Sequence, residues 1–297
     1  MIEKKDIIFK FGKSYTISSN EEYFCCVGGS VNLYNKADGL LKGTIRGLSH
    51  PNYSEFLKNE RLIIKNTTGH YFIYDLSTLE QIKKFKAIKP SQPQDTKFIV
   101  MPDNKYLIDF AYFFPERKLF ILDIDSGDCF FPDLGQEKGC SAFYNIEESQ
   151  IYISTNSYTE VPETFHTTFY SLQYPFGEAK LQLLDIPDFG YINHLDYCDG
   201  KFAFERMGKI VIYDIKKNQT EQIDFKQDGY LCHLRWSNNG KYIVLAQSEA
   251  IKVFDIERKC CIKTYCVKYG YFADFYDNDT KLLIGTWQNG YLINFND

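Results

Sequence analysis

Strand-like phrases ending at Asn35, Asp75, Asp123, Leu172, Asp214, Asp255 and Phe295 recur every 40 to 49 residues. Each is the middle strand of a repeated strand–turn–strand–turn–strand pattern, and the third of a four-stranded unit. A second observation is the aromatic content: 25 Phe, 23 Tyr and 2 Trp make 17 % of the 297 residues, and such side chains suit half-buried pleated surfaces. A unit of roughly 40–45 residues that cannot bury both its faces alone must stack on its neighbours. The sequence therefore predicts an all-β fold, a seven-bladed β-propeller of four-stranded antiparallel blades. One domain over residues 1–297 is expected, since no Pro/Gly/Ser linker interrupts the period, and the blades should close into a ring.

In chain order, Ile7-Ile8-Phe9-Lys10-Phe11 reads as a strand and residues 14–18 as the next, before Tyr23-Phe24-Cys25-Cys26-Val27. The second blade carries Arg61-Leu62-Ile63-Ile64, Tyr71-Phe72-Ile73-Tyr74-Asp75 and Gln81-Ile82-Lys83-Lys84-Phe85. The apolar spacing over 53–65 is too irregular for a helix. The third blade carries Tyr106-Leu107-Ile108, Leu119-Phe120-Ile121-Leu122-Asp123 and Cys129-Phe130-Phe131. The fourth is a weaker copy ending near Leu172, and the fifth carries Lys201-Phe202-Ala203-Phe204 and Ile210-Val211-Ile212-Tyr213-Asp214. The sixth is the clearest, with Tyr242-Ile243-Val244-Leu245-Ala246 and then Ile251-Lys252-Val253-Phe254-Asp255. The seventh stops after three strands at Leu292-Ile293-Asn294-Phe295. One strand is spare at the start and one is missing at the end, so the N-terminal strand is expected to complete the last blade and leave no open edge. Each closing Asp begins a tight turn, where its carboxylate accepts backbone N–H bonds; these aspartates read as structural.

With 34 basic against 39 acidic side chains, the net charge is −5 and the pI about 5.6. That balance excludes a general nucleic-acid binder or an anionic-lipid binder, because both need a positive field. No apolar stretch approaches the roughly 20 residues of a membrane span. The N-terminus runs straight into a strand with no secretory apolar region. The nine cysteines include the adjacent pairs Cys25-Cys26 and Cys260-Cys261. Neighbours in a strand face opposite sides, so all nine read as reduced thiols in a cytoplasmic, monomeric protein. No C-x2-4-C knuckle pair suggests zinc, and no cofactor is expected.

The stretch Leu231-Cys232-His233-Leu234-Arg235-Trp236-Ser237-Asn238-Asn239-Gly240-Lys241 resembles the first-strand phrase of the WD-repeat family. Ile251-Lys252-Val253-Phe254-Asp255 resembles its third-strand ending, with Phe in place of Trp. By period the resemblance covers the whole chain, and in detail it covers the second, third, fifth and sixth blades. No blade carries the family's Gly-His dipeptide, and a quinoprotein-like or YVTN-type propeller is the alternative relative. Residues 123–131 resemble the quinoprotein repeat phrase, but two tryptophans, Trp236 and Trp287, make no cofactor platform.

Propellers present sites at the channel mouth, on loops between blades and between second and third strands. Those second-to-third loops are minimal at Gly28-Gly29, Thr68-Gly69, Met207-Gly208, Ser248-Glu249 and Asn289-Gly290. The third blade instead has Phe113-Phe114-Pro115-Glu116-Arg117, and the fourth a long loop over 156–166 with Tyr158, Glu160, Glu163, Phe165 and His166. Inter-blade loops at 86–95 and 132–139 are long as well. Long loops on a rigid scaffold are where binding concentrates. A repeated opening phrase also aligns Gly190-Tyr191-Ile192-Asn193-His194-Leu195 with Gly229-Tyr230-Leu231-Cys232-His233-Leu234 and Gly270-Tyr271-Phe272-Ala273-Asp274-Phe275. It places Tyr191, Tyr230 and Tyr271 at a binding rim. His194, His233 and Asp274 lie one step deeper, where a His-His-Asp set could hold a divalent metal. No G-x-S-x-G elbow, P-loop or H-E-x-x-H is present.

The expectation is a non-enzymatic scaffold that recognises a protein or peptide through Phe113, Phe114, Arg117, Tyr158, Glu160, Glu163, Phe165 and His166, with Tyr191, Tyr230 and Tyr271 at the rim. The alternative is a propeller hydrolase or lyase with a polar or metal site in the channel.

Overall fold

The computed structural model describes residues 2–87, 97–113, 116–135, 137–160, 163–176 and 180–295, with the backbone alone at 112, 113, 116, 159, 160, 163 and 193. After a 3-10 turn at Lys4–Asp6 comes β1 (Ile7–Phe11). The first sheet is β2 (Thr16–Ser19), β3 (Tyr23–Val27), β4 (Val31–Asn35) and β5 (Leu41–Ile45). The second is β6 (Pro51–Leu57), β7 (Arg61–Asn66), β8 (Tyr71–Asp75) and β9 (Gln81–Phe85). The third is β10 (Ile99–Val100), β11 (Tyr106–Phe113), β12 (Glu116–Asp123) and β13 (Cys129–Phe130). The fourth is β14 (Lys138–Asn145), β15 (Gln150–Glu160), β16 (Glu163–Gln173) and β17 (Gln182–Leu183). The fifth is β18 (Asn193–Cys198), β19 (Lys201–Arg206), β20 (Lys209–Asp214) and β21 (Gln219–Asp224). The sixth is β22 (Leu231–Trp236), β23 (Tyr242–Gln247), β24 (Ala250–Asp255) and β25 (Cys260–Cys266). The last comprises β26 (Gly270–Tyr276), β27 (Lys281–Thr286) and β28 (Gly290–Asn294), with β1 beside β28 as its fourth strand.

Seven four-stranded antiparallel sheets, each taken from consecutive strands except where β1 completes the last, make the chain an all-β, seven-bladed β-propeller. Residues 53–65 are strand and turn, as the sequence indicates. Among the described residues no helix is long and apolar enough to cross a membrane. All nine cysteines are free thiols. The closing aspartates do what turn chemistry demands. Asp75 Oδ1 accepts the amides of Ser77 and Thr78 at 2.8 and 3.0 Å. Asp123 Oδ1 accepts those of Asp125 and Ser126 at 2.9 Å each, and Asp214 and Asp255 likewise cap Lys217 and Arg258.

The chain divides into two compact units, Met1–Ser54 with Ile192–Asp297, and Glu55–Tyr191. In the first, β1 runs antiparallel to β28 in the register Ile7↔Ile293, Phe9↔Leu292, Lys10↔Tyr291 and Phe11↔Gly290. A bulge between Ile7 and Phe9 breaks the simple alternation that would put Ile7, Phe9 and Phe11 on one face. The extra residue rotates the remainder of the strand relative to Ile7. Ile8, Phe9 and Phe11 pack with Phe24, Leu283 and Leu292, while Ile7 turns to the cluster of Val253, Ile284, Ile293 and Phe295. The single strand thus joins two apolar clusters. In the second unit, Met101, Phe110, Leu119, Ile151, Ile153, Leu172 and Tyr174 form the main cluster. Beside it Lys65 on β7 and Asp109 on β11, both wholly buried, pair at 2.6 Å, and the Tyr71 hydroxyl donates to the same carboxylate oxygen.

Candidate functional site

The second and third strands of the fourth sheet are eleven residues each, about twice the ordinary strand. They pair without interruption from Gln150↔Gln173 to Glu160↔Glu163. Of the segment over 156–166, expected as a loop, residues 156–160 and 163–166 are therefore the paired strands of a ribbon. The reason is local: Thr155, Tyr158, Thr164, Phe165, Thr167 and Thr168 are β-branched or aromatic, and directly opposed pairs of that kind stabilise a ladder. Tyr158 and Phe165 are one such pair, with ring centroids 4.9 Å apart. Tyr191 completes a row, 5.3 Å from Phe165. These three rings are 46 %, 49 % and 50 % exposed, so their apolar faces meet water and one another.

Next to Phe165, the His166 ring is held from both sides. Its Nδ1 lies 2.6 Å from Asp188 Oδ2 and its Nε2 3.1 Å from the Thr164 hydroxyl. Asp188 Oδ1 also accepts the amides of Thr167 at 2.9 Å and Gly190 at 2.8 Å. Burial pushes the Asp188 carboxyl up, but those two amides and the His166 ring outweigh it and hold it below its ordinary value. The Thr167 hydroxyl donates to the carbonyl of Gly190. Asp188 and Thr167 thereby fasten the segment carrying Tyr191 to the ribbon. A groove of about 530 Å³ opens here, lined by His166, Thr168, Leu183, Ile186 and Asp188. Asp188 carries no motif that singles it out in the sequence, although Asp two residues before Gly190 is an Asx-turn signal.

In the third sheet, β11 and β12 likewise extend to Phe113↔Glu116, so Phe113, Glu116 and Arg117 belong to strands rather than to a loop. Arg117 pairs with Tyr112 in that ladder, and its charge acts on Cys140, whose thiol burial nevertheless pushes up. Phe114 lies outside the described residues, as do the side chains of Phe113, Glu160 and Glu163 and most of the inter-blade loop 86–95.

The first unit corrects the expected equivalence of the opening phrases. Strand register, not phrase spelling, sets equivalence. One extra residue is accommodated in each first strand, between Leu231 and His233 in β22 and between Gly270 and Phe272 in β26. His233 opposes Ala246, and its counterpart in the next sheet is Phe272, which opposes Gly285. Likewise Asp196, Arg235 and Asp274 oppose Ala203, Val244 and Leu283. The structure therefore does not bring His194, His233 and Asp274 together. His233 is buried, stacked on Phe272 at 4.9 Å, with Nδ1 2.9 Å from the carbonyl of Ala273. Asp274 instead belongs to a chain of charge: Arg235 Nη1 sits 3.0 Å from Asp196 Oδ1 and its Nε 3.4 Å from Asp274 Oδ2. Burial raises the Asp196 carboxyl despite Arg235. Among the described residues, no group of three or more His, Cys, Asp or Glu side chains is gathered to hold a metal ion.

The same register makes Tyr269, rather than Tyr271, the counterpart of Tyr230, and the two are 58 % and 83 % exposed. Tyr271 is the extra residue of its strand. It packs against Tyr15 and Trp287 at 5.8 and 6.4 Å between centroids. Neither Tyr15 nor Trp287 reads as functional in the sequence, because each stands beside a strand phrase with no motif to mark it.

Fold and surface define the class, a seven-bladed β-propeller that presents aromatic side chains beside second-to-third strand turns, as Tyr158, Phe165 and Trp287, and ahead of first strands, as Tyr191, Tyr230 and Tyr269. No family model and no curated protein matches the chain.

Proposed function

We propose that this protein is a non-enzymatic, WD-like propeller that recognises a protein or peptide, with the β15–β16 ribbon as its principal binding element. The observation that carries the reading is the exposed row Tyr158–Phe165–Tyr191. The ribbon extends well beyond the strand length its sheet needs, and aromatic side chains are the anchors of interface hot spots. His166, next to Phe165 on the same strand, is the polar partner beside the rings, and Arg117, Glu160 and Glu163 belong to this reading as the charged residues that the sequence nominates. Of the three tyrosines that the sequence nominates for a rim, Tyr191, Tyr230 and Tyr271, the reading rests on Tyr191, which packs against Phe165. The WD-like assignment rests on the repeat period and on the Ser237 turn. There the Tyr242 amide donates to the Ser237 hydroxyl, which donates to Asn239 Oδ1, each at 2.8 Å. The two bonds fold the phrase Ser237-Asn238-Asn239-Gly240-Lys241 into a tight hairpin. A single-domain, monomeric, cytoplasmic protein is part of the proposal, supported by nine free thiols.

The test excises residues 157–166 and closes the ladder at Asn156 and Thr167 with Asn-Gly, the natural two-residue hairpin turn. Wild type and variant serve as baits in one native extract, quantified by mass spectrometry. The expected result is a partner whose affinity falls at least about tenfold, or 1.4 kcal/mol, while the melting temperature stays nearly unchanged. Equal retention of every captured protein by both baits removes the ribbon from recognition.

A further inference from the structure

The aromatic group around Trp287 has a property that the ribbon lacks. Two of its rings already hold a cation. The Lys13 ammonium lies 4.9 Å from the centroid of Tyr15 and 5.6 Å from that of Trp287, and the two centroids are 5.4 Å apart. Those three distances close a triangle whose angle at the ammonium is about 60°, and the ring planes are inclined at 63°. The ammonium lies over both ring faces, which is the orientation that the ring quadrupole rewards. Tyr271 stands edge-on to both, at 61° to Tyr15 and 70° to Trp287.

The backbone is built to keep this geometry. The Ser14 amide donates to the carbonyl of Thr286 at 3.2 Å, and the Gly290 amide to that of Gly12 at 2.8 Å, so residues 12–15 lie along the β27–β28 turn. Glycines make room for the approach. A Cβ on Gly28 would fall 2.2 Å from the Lys13 carbonyl oxygen, and one on Gly285 2.7 Å from that of Ser14. Lys36 over Phe24 and Tyr276, at 5.3 and 4.7 Å, is the core version of the contact. There Phe24 is 1 % exposed, whereas Trp287 is 54 % exposed.

We propose that Tyr15 and Trp287, flanked by Tyr271, form a recognition site for a quaternary ammonium group, with Lys13 as its tethered resident. A primary ammonium is strongly hydrated and gains little at an exposed ring. A trimethylammonium loses less hydration and presents methyl groups to both faces, so it displaces the lysine. The chemistry is common to a trimethyllysine side chain in a peptide and to a free small molecule such as choline. This site is independent of the ribbon.

The test is a tryptophan-fluorescence titration, because Trp287 is exposed while Trp236 is buried. The probes are tetramethylammonium chloride, choline, and one short peptide with trimethyllysine or unmodified lysine, all against sodium chloride at equal ionic strength. Wild type is expected to give a saturable change with the methylated probes alone. Lys13→Ala, a substitution on an exposed side chain, should tighten it about threefold by removing the resident cation, the scale of one exposed cation–π contact. Tyr15→Leu, which keeps the reporter, should abolish it with an unchanged melting curve. Tighter binding of the trimethyllysine peptide than of choline identifies a protein ligand, and the reverse a small molecule. A linear response indistinguishable from sodium chloride overturns the proposal, as does a Lys13→Ala variant that binds no tighter than wild type.

Discussion

Lys65 and Asp109 show how a single residue pair constrains this fold. Both side chains are fully buried and 2.6 Å apart. Burial, with the Asp109 carboxylate second, pushes the Tyr71 phenol well above its ordinary value, so Tyr71 remains an O–H donor to that carboxylate. Removing one partner of such a pair strands the other charge in the interior. Lys65→Met should therefore cost about 3–5 kcal/mol, read as a lower urea-unfolding midpoint. The triple variant Lys65→Met, Asp109→Leu, Tyr71→Phe should recover part of that loss, because the three mutually paired side-chain groups leave together and only the Phe110 amide loses its contact with Asp109 Oδ1; no recovery would show that the cost lies in packing. Nothing in the sequence marks this pair. Lys65 sits inside a strand phrase whose neighbours are apolar, and a buried lysine is identified only when the carboxylate 44 residues away is seen beside it. The rim tyrosines fared better. Tyr158, Phe165 and Tyr191 were legible as exposed aromatics in polar surroundings. The equivalence of Tyr230 with Tyr271 was not, since a one-residue bulge changes register without changing composition.

At the scale of the element, β1 carries the clearest consequence. It pairs with β28 and contributes Phe11, 2 % exposed, to one apolar cluster and Ile7 to another. Deleting residues 1–12 removes the whole β1–β28 ladder, at about 1 kcal/mol net for each hydrogen bond. It also removes the burial of Phe11, about 2–3 kcal/mol, and leaves the edge of β28 unpaired. The truncated protein should aggregate, whereas deletion of residues 1–3 should leave the melting curve unchanged. A soluble monomer with wild-type melting after the longer deletion would contradict the role assigned to β1. The pairing of this element was legible, because a surplus strand at one end and a deficit at the other can be counted, but the bulge that sends Ile7 to a different cluster from Phe9 and Phe11 was not. The β15–β16 ribbon was only half legible. Its length and aromatic content were plain, but Glu160, Val161, Pro162 and Glu163 carry the turn and charge signals of a loop, and these mask the strand character of Thr164–Thr168.

For the whole molecule, seven sheets arise from one repeat, and the third strands end within one residue of the positions the period predicts. What the period does not specify is which sheet carries function, because the same phrase builds all seven. A circular permutant separates the covalent order from the pairing. Since β1 is antiparallel to β28, Asp6 and Phe295 leave the sheet at the same end. A linker of about four Gly/Ser residues, a usual hairpin length, should join them, with new termini opened at Gly47, whose φ of 80° marks a turn. The permutant should be soluble, with the circular dichroism of wild type; persistent aggregation would show that β1 must arrive on a separate strand end. The shared sheet also sets a schedule for synthesis. The ribosome makes Ile7-Ile8-Phe9-Lys10-Phe11 about 280 residues before their partners Gly290 to Ile293. At 5–20 residues per second, that leaves the strand without its partner for about 15–60 s. During that interval β1 is a strand whose backbone donors and acceptors have no partner, an open edge of the kind that pairs with other chains.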